Sequence, residues 1–271
     1  MPELWEGKVP IIRRSLNEGF LGNPEPVREG CVERDYDEDP VAMGDSPAAM
    51  QIVQPDQWDS EWTVQNAAGS SLYHRFLREP FQLLDQNGHG YCWAYSTGHA
   101  IMFDRLKQNL PLVRINPHAT AAIIKKGRDE GGWCGLSMKW GREHGYAVEG
   151  DGPGEWPLHS RNLKYDTPEL RQAMALHKAE EDWYDLGQRE YDQELTKAQL
   201  VTCALQSIPA PVDYNRFSHS MCMVWAVKID GRWSPMIMNS WKNWGFKGLG
   251  ILFDMWPNNA VALRASTPSA R

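Results

Sequence analysis

The sequence predicts an α+β fold of two lobes, one helical and one built on an antiparallel sheet. Two stretches predict it. Near residue 90 a Gly-rich turn, Asn87-Gly88-His89-Gly90, runs into Cys92 and a small-residue segment that reads as a helix to about Gln108. Far downstream, His219–Val227 and Trp233–Met238 read as apolar strands joined at Asp230-Gly231, a hairpin signal, and 248–253 reads as a third. Helical patterns dominate before residue 206 and strands after it. That segregation fits two packed lobes better than alternating βαβ units.

The first sixty residues read differently from the rest. Prolines at 2, 10, 24, 26, 40, 47 and 55 leave no room for a long amphipathic helix. Thirteen acidic and five basic residues give this stretch a net charge of −8, against +1 for the remainder. The run Glu33-Arg34-Asp35-Tyr36-Asp37-Glu38-Asp39 reads as a solvated loop. Residues 1–60 are therefore expected to be an arm outside the main domain. The arm either inhibits as a prosegment or binds a partner.

Residues 61–256 form the expected domain. Leu72, Phe76 and Leu77 suit a short helix that Glu79-Pro80 ends. Within the central helix, Ala94, Ser96, Thr97, Gly98 and Ala100 allow other backbone to come close. Gly98 costs roughly 1 kcal/mol against alanine there, so close approach is the reason to expect it. His99 on the same helix reads as a packed residue. Asn116-Pro117 caps a helix to about Lys126. Gly131-Gly132 is a loop followed by a helix of about ten residues ending near Gly145. Thr167-Pro168 caps another helix, Trp183–Leu186 is a short strand, and a helix spans about Tyr191 to Gln206. The tail after Trp256, residues 257–271, is rich in Pro, Ser and Ala and is expected to be peripheral.

Composition excludes several classes. No stretch approaches 18 apolar residues, so no membrane span is expected. No basic footprint for nucleic acid is present. Five widely spaced cysteines, Cys31, Cys92, Cys134, Cys203 and Cys222, fit reduced thiols. The first twenty residues offer no apolar signal-peptide centre, so a cytoplasmic location is expected. No CxxC or HExxH pair supports a metal site, and no cofactor is expected.

The chemistry concentrates at Cys92. A thiol at a helix N-terminus meets unpaired N–H groups and the positive end of the dipole, which favour thiolate. Gln86, six residues earlier, supplies an amide donor across the turn for an oxyanion. The stretch Gln86 to Ser96 resembles the active-site segment of papain-like cysteine peptidases, with His89, Gly90 and Tyr91 replacing that family's usual residues before the nucleophile. Asn239-Ser240-Trp241-Lys242-Asn243-Trp244-Gly245 resembles the family's Asn-Ser-Trp block, and Glu155-Trp156-Pro157-Leu158 its Tyr-Pro-Tyr turn. The order Cys, His, Asn is the family's, with His219 and Asn239 lying 127 and 147 residues after Cys92.

The resemblance covers roughly residues 70–255 and implies roles. Cys92 is the nucleophile, His219 its base and then the acid, and Asn239 the group that orients the imidazole. Trp241 shields their hydrogen bond, while Gln86 and the Cys92 N–H form the oxyanion hole. Gly131 and Gly132 pair with substrate backbone. The family's disulfide is impossible, since Asp129 and His89 stand at its two places. The implied activity is hydrolysis of peptide bonds through a thioester acyl-enzyme, acting on a protein or peptide. The connection over residues 207–218 is shorter than in typical members. The alternative is a papain-fold protein with a structural or assembly role in a larger complex such as a viral particle, held there through residues 1–60. A transglutaminase-like acyl transferase is disfavoured, because those enzymes use Asp where Asn239 stands.

Overall fold

The computed structural model describes residues 3–20, 30–39, 50–179 and 183–266. Seven α-helices and eight strands are present among them. Helix α3, Cys92–Lys107, is the spine of the helical lobe, and all but its last residue are buried. It packs on α2, Leu72–Arg78, on α4, Pro117–Ile124, and on α5, Cys134–Glu143. Gly98 serves the close approach expected of it. A Cβ there would meet the Pro117 ring at 2.4–3.3 Å. The Asn116 side chain accepts from the His118 N–H at 3.2 Å and caps α4. Helix α6, Pro168–Met174, is capped by Thr167, and α7, Gln193–Leu205, by Asp192.

The sheet carries the other half of the site. Strand β5, His219–Ile229, is its long central member, buried at ten of eleven positions. It pairs antiparallel with β6, Arg232–Met238, through the expected hairpin, and with β4, Ala210–Tyr214. Strand β7, Leu249–Leu252, continues the sheet beyond β6. Helix α3 lies across β5 and β4, so the helix that opens with Cys92 packs on the strand that opens with His219.

Four features depart from the sequence expectations. First, the tail is not peripheral. Strand β8, Asn259–Ala262, is fully buried and lies between β4 and β3, Tyr184–Asp185. Ala and Val with no side-chain polarity suit an interior strand, and the terminal composition obscures them. Second, the arm contributes to the sheet. Strand β1, Leu4–Trp5, pairs with β2, Val9–Ile12, which lies parallel to β7 and is buried throughout. Pro10 lacks an N–H and hides this strand from a reading by residue type.

Third, helix α1, Trp58–Ala68, crosses the boundary expected after residue 60. Its inward face rests on Trp58, Trp62 and Gln65 at helical spacing. Gln65 receives the Trp225 indole N–H at 2.6 Å and donates to the Ala204 carbonyl at 2.9 Å. Fourth, the acidic run at 33–39 is not simply solvated. Arg34 is buried, and Asp39 and Asp37 pair with Lys139 and Arg189. No helix of the described residues is long and apolar enough to cross a membrane.

Candidate active site

Strand β5 begins at His219 because the chain reverses tightly just before it. One 3-10 turn, Asn215–Phe217, and Ser218 in the left-handed region at φ 45° make the whole connection. Tyr214 on β4 is thus opposite His219 on β5. Strand β6 then delivers Asn239, whose N–H donates to the Gly248 carbonyl at 2.9 Å. The left-handed φ of Gly248, 87°, and the packing of Leu83 and Met238 around it leave no space for a side chain.

His219 Nε2 lies 2.8 Å from Asn239 Oδ1, which also accepts the Ser240 N–H at 2.7 Å. An amide oxygen can only accept, so the imidazole proton is on Nε2 and Nδ1 keeps its lone pair. Nδ1 is buried and has no hydrogen-bond partner among the described residues. The Trp241 ring covers the imidazole at 4.3 Å between centroids, and Phe20 of the arm stacks on Trp241 at 5.8 Å and 6°. Water is kept from the His219–Asn239 bond, which strengthens it.

Cys92 is wholly buried at the start of α3 and lies against Ser220, the residue after His219. Burial pushes its thiol up to about 12, although hydrogen bonds from the backbone and hydroxyl of Ser220 pull the other way. Burial likewise pulls the His219 imidazole down to about 4, against the hydrogen bond to Asn239. Both groups are therefore neutral at pH 7. The thiolate expected from the helix N-terminus does not form in this state, because desolvation outweighs the dipole. Beneath them, Asp213 is buried with its carboxyl raised above the usual range by desolvation. It accepts from the Ser220 hydroxyl at 2.5 Å, the Asn259 amide at 3.0 Å and the Cys134 N–H at 3.1 Å.

Gln86 ties the two lobes. Its N–H donates to the Ser240 carbonyl at 3.0 Å, and Oε1 accepts from the Ser240 hydroxyl at 2.6 Å. Its Nε2 donates to the His89 carbonyl at 2.7 Å, which occupies one of two amide hydrogens. At the two places where a disulfide was ruled out, His89 Nδ1 meets Asp129 Oδ2 at 3.1 Å, and Asp129 Oδ1 accepts the Gly90 N–H at 2.8 Å. A hydrogen-bonded tie holds the nucleophile turn to the segment leading into Gly131-Gly132. All five cysteines are free thiols. His99 is a packed residue, its Nε2 accepting the Leu84 N–H at 3.4 Å.

The cleft is occupied by the chain itself. Gly30 and Cys31 donate their N–H groups to the Ser218 carbonyl at 3.0 and 2.9 Å. On the other side Gly132 N–H donates to the Gly30 carbonyl at 2.9 Å, and Val32 N–H to the Gly132 carbonyl at 3.0 Å. Residues 30–32 are thus an extended segment between the lobes, joined to the 131–132 loop by a single parallel bridge at Cys31 and Gly132. Glycine is required at three places along it. A Cβ on Gly30 would sit 2.5 Å from the Gly90 carbonyl, one on Gly131 2.7 Å from the Gly30 oxygen, and one on Gly132 2.9 Å from the Trp93 ring. The sequence did not point to Gly30–Val32, Ser218, Ser220 or Phe20. The glycine before Cys31 was the one legible signal. Among the described residues no cluster of His, Cys, Asp or Glu is arranged to hold a metal ion.

Solved structures of known proteins match this architecture. Xylellain, a cysteine protease from Xylella fastidiosa, superposes with a TM-score of 0.58 at 15% identity over 92% of this chain and 100% of its own. Procathepsin B S9 from Trypanosoma congolense gives 0.52 at 15% over 73% of this chain and 77% of its own. Digestive procathepsin L 3 of Tenebrio molitor gives 0.49 at 16%, with this chain spanning 66% of its length. No family model matches the sequence. No curated protein matches it either. The chain therefore has the papain-like fold, a helical lobe packed on a sheet lobe.

Proposed function

We propose that the chain is a papain-like cysteine peptidase held latent by its own N-terminal arm. The observation behind this reading is His219 Nδ1. Its ring is fixed by Asn239 and covered by Trp241, and among the described residues this nitrogen has no proton donor, one residue from the thiol's neighbour Ser220. Once residues 30–32 leave, water and substrate enter, the desolvation that keeps Cys92 neutral is relieved, and its proton can pass to Nδ1.

The thiolate then adds to the scissile carbonyl carbon. The oxyanion is held by the Cys92 N–H and the remaining hydrogen of Gln86 Nε2. His219 returns the proton to the leaving amine, and the acyl thioester forms. Water, deprotonated by Nδ1, cleaves the thioester and regenerates the thiol. Asn239 keeps the ring in one tautomer throughout. The arm's seat in its own cleft favours latency over an assembly role for residues 1–60, since the surface it needs is supplied by the same chain.

The test is intact-mass analysis after reaction with an epoxide inhibitor of papain-like enzymes, on a variant whose arm has been loosened. Labelling at Cys92 alone, lost in His219→Ala, supports the assignment. If Cys92→Ala left all peptide hydrolysis intact, the nucleophile would be misassigned.

A further inference from the structure

The arm's deepest anchor is a charge. Arg34 and Asp185 have side chains 1% and 3% exposed and make a two-pronged pair, Nη1 to Oδ1 at 2.8 Å and Nη2 to Oδ2 at 2.9 Å. The guanidinium stacks over the Trp133 ring at 4.1 Å and the Tyr36 ring at 4.5 Å, and its Nε donates to the Asp39 carbonyl at 2.9 Å. A planar fork on a carboxylate, flanked by aromatic faces, is geometry that suits arginine and not lysine.

The walls divide unevenly. Tyr36 and Asp39 belong to the arm. Asp185 is on β3, held by the Gly187 N–H at 3.0 Å, and Trp133 directly follows the Gly131-Gly132 strip. When the arm leaves, the carboxylate and the indole face stay with the body. What stays is a carboxylate that presents two oxygens to a fork of N–H donors and an aromatic face beside it, a surface matched to a guanidinium next to the backbone-pairing strip.

We propose that Asp185 and Trp133 form a guanidinium-binding subsite, filled by Arg34 while the arm is in the cleft and by an arginine of an incoming peptide once the arm is out. The idea that this peptide is a substrate rests on the peptidase reading; the binding does not. An arginine-bearing peptide thereby competes for the arm's own anchor, so binding and release are linked.

The test uses full-length chain carrying Cys92→Ser, with Arg34→Ala to empty the pocket, and Nα-acetyl-arginine amide as the probe in calorimetric titration. The expected result is saturable one-site binding to the Arg34→Ala protein. It is absent with the neutral citrulline amide, absent in the Arg34-containing parent, and weakened roughly tenfold or more by adding Asp185→Asn. Arg34→Gln repeats the measurement should Arg34→Ala fold poorly. Equal binding of the citrulline compound, equal binding to the parent, indifference to Asp185→Asn, or no binding to either emptied variant overturns the proposal. Because Cys92 is replaced, an error in the catalytic assignment leaves these outcomes unchanged.

Discussion

Gly30→Ala is the sharpest perturbation of the arm. A Cβ at Gly30 would lie 2.5 Å from both the carbon and the oxygen of the Gly90 carbonyl. Both contacts are backbone, and Gly90 is held by the Asp129 carboxylate at 2.8 Å, so neither side yields cheaply. Overpacking of this kind costs about 1–3 kcal/mol. The strain is present only when the arm is seated, since the displaced arm is free of Gly90. The open population therefore rises by roughly 5- to 150-fold, at about 1.4 kcal/mol per tenfold. Cys92 is wholly buried under the seated arm, so its reaction with an epoxide proceeds through the open form and scales with that population. The assay is a time course of intact mass at pH 7, with peptide mapping of the adduct and hydrogen exchange of residues 30–39 in parallel. Faster labelling at Cys92 together with faster exchange is expected. If exchange rises as calculated while the labelling rate stays at the parent value, the arm does not gate the thiol, and the latency argument fails.

Other outcomes follow from the same contacts. Gln86→Ala should lower hydrolysis by an arm-loosened protein about 100- to 1000-fold, as loss of one oxyanion donor does, while Cys92 still takes the epoxide; loss of labelling as well would make Gln86 purely structural. Asp129→Ala removes the acceptor of the Gly90 N–H and the partner of His89, and denaturant titration should show a loss of about 1.5–3 kcal/mol, the range for bonds to a charged group. Stability should fall as pH drops from about 6.5 toward 4. His99 and His118, each near 3, and His177 and His219, each near 4, are held neutral by burial, so the unfolded chain binds more protons in that window. The raised carboxyls of Asp104 and Asp213 act in the opposite sense, since the native state takes up those protons first, but they are two groups against five, because burial lowers His74 as well. Urea midpoints measured at successive pH values check the sign, and a stability that holds or rises toward pH 4 contradicts it.

The local structure around the candidate residues was legible in sequence. Cys92 at the head of α3, His219 opening β5 and Asn239 closing β6 are each marked by short-range pattern, a Gly-rich turn, an apolar strand, a hairpin signal. Caps at Asn116 and Thr167 fixed helix starts through bonds spanning two or three residues, whereas the Asp192 cap was not read and that helix starts two residues later than expected. Such features depend on neighbours in the chain, which the sequence states outright.

The tertiary structure decided what depends on distant partners. Strand β8 is a strand because β4 and β3 flank it, and β2 because β7 lies alongside, while their own four residues say little. Arg34 reads as one charge in an acidic run until Asp185, 151 residues away, makes it an anchor. The ionisation of Cys92 went the same way. The helix N-terminus argues for thiolate, and complete burial of the side chain argues for thiol. Burial prevails because removing a charge from water costs more than the end of one helix returns, and burial is a property of the whole fold.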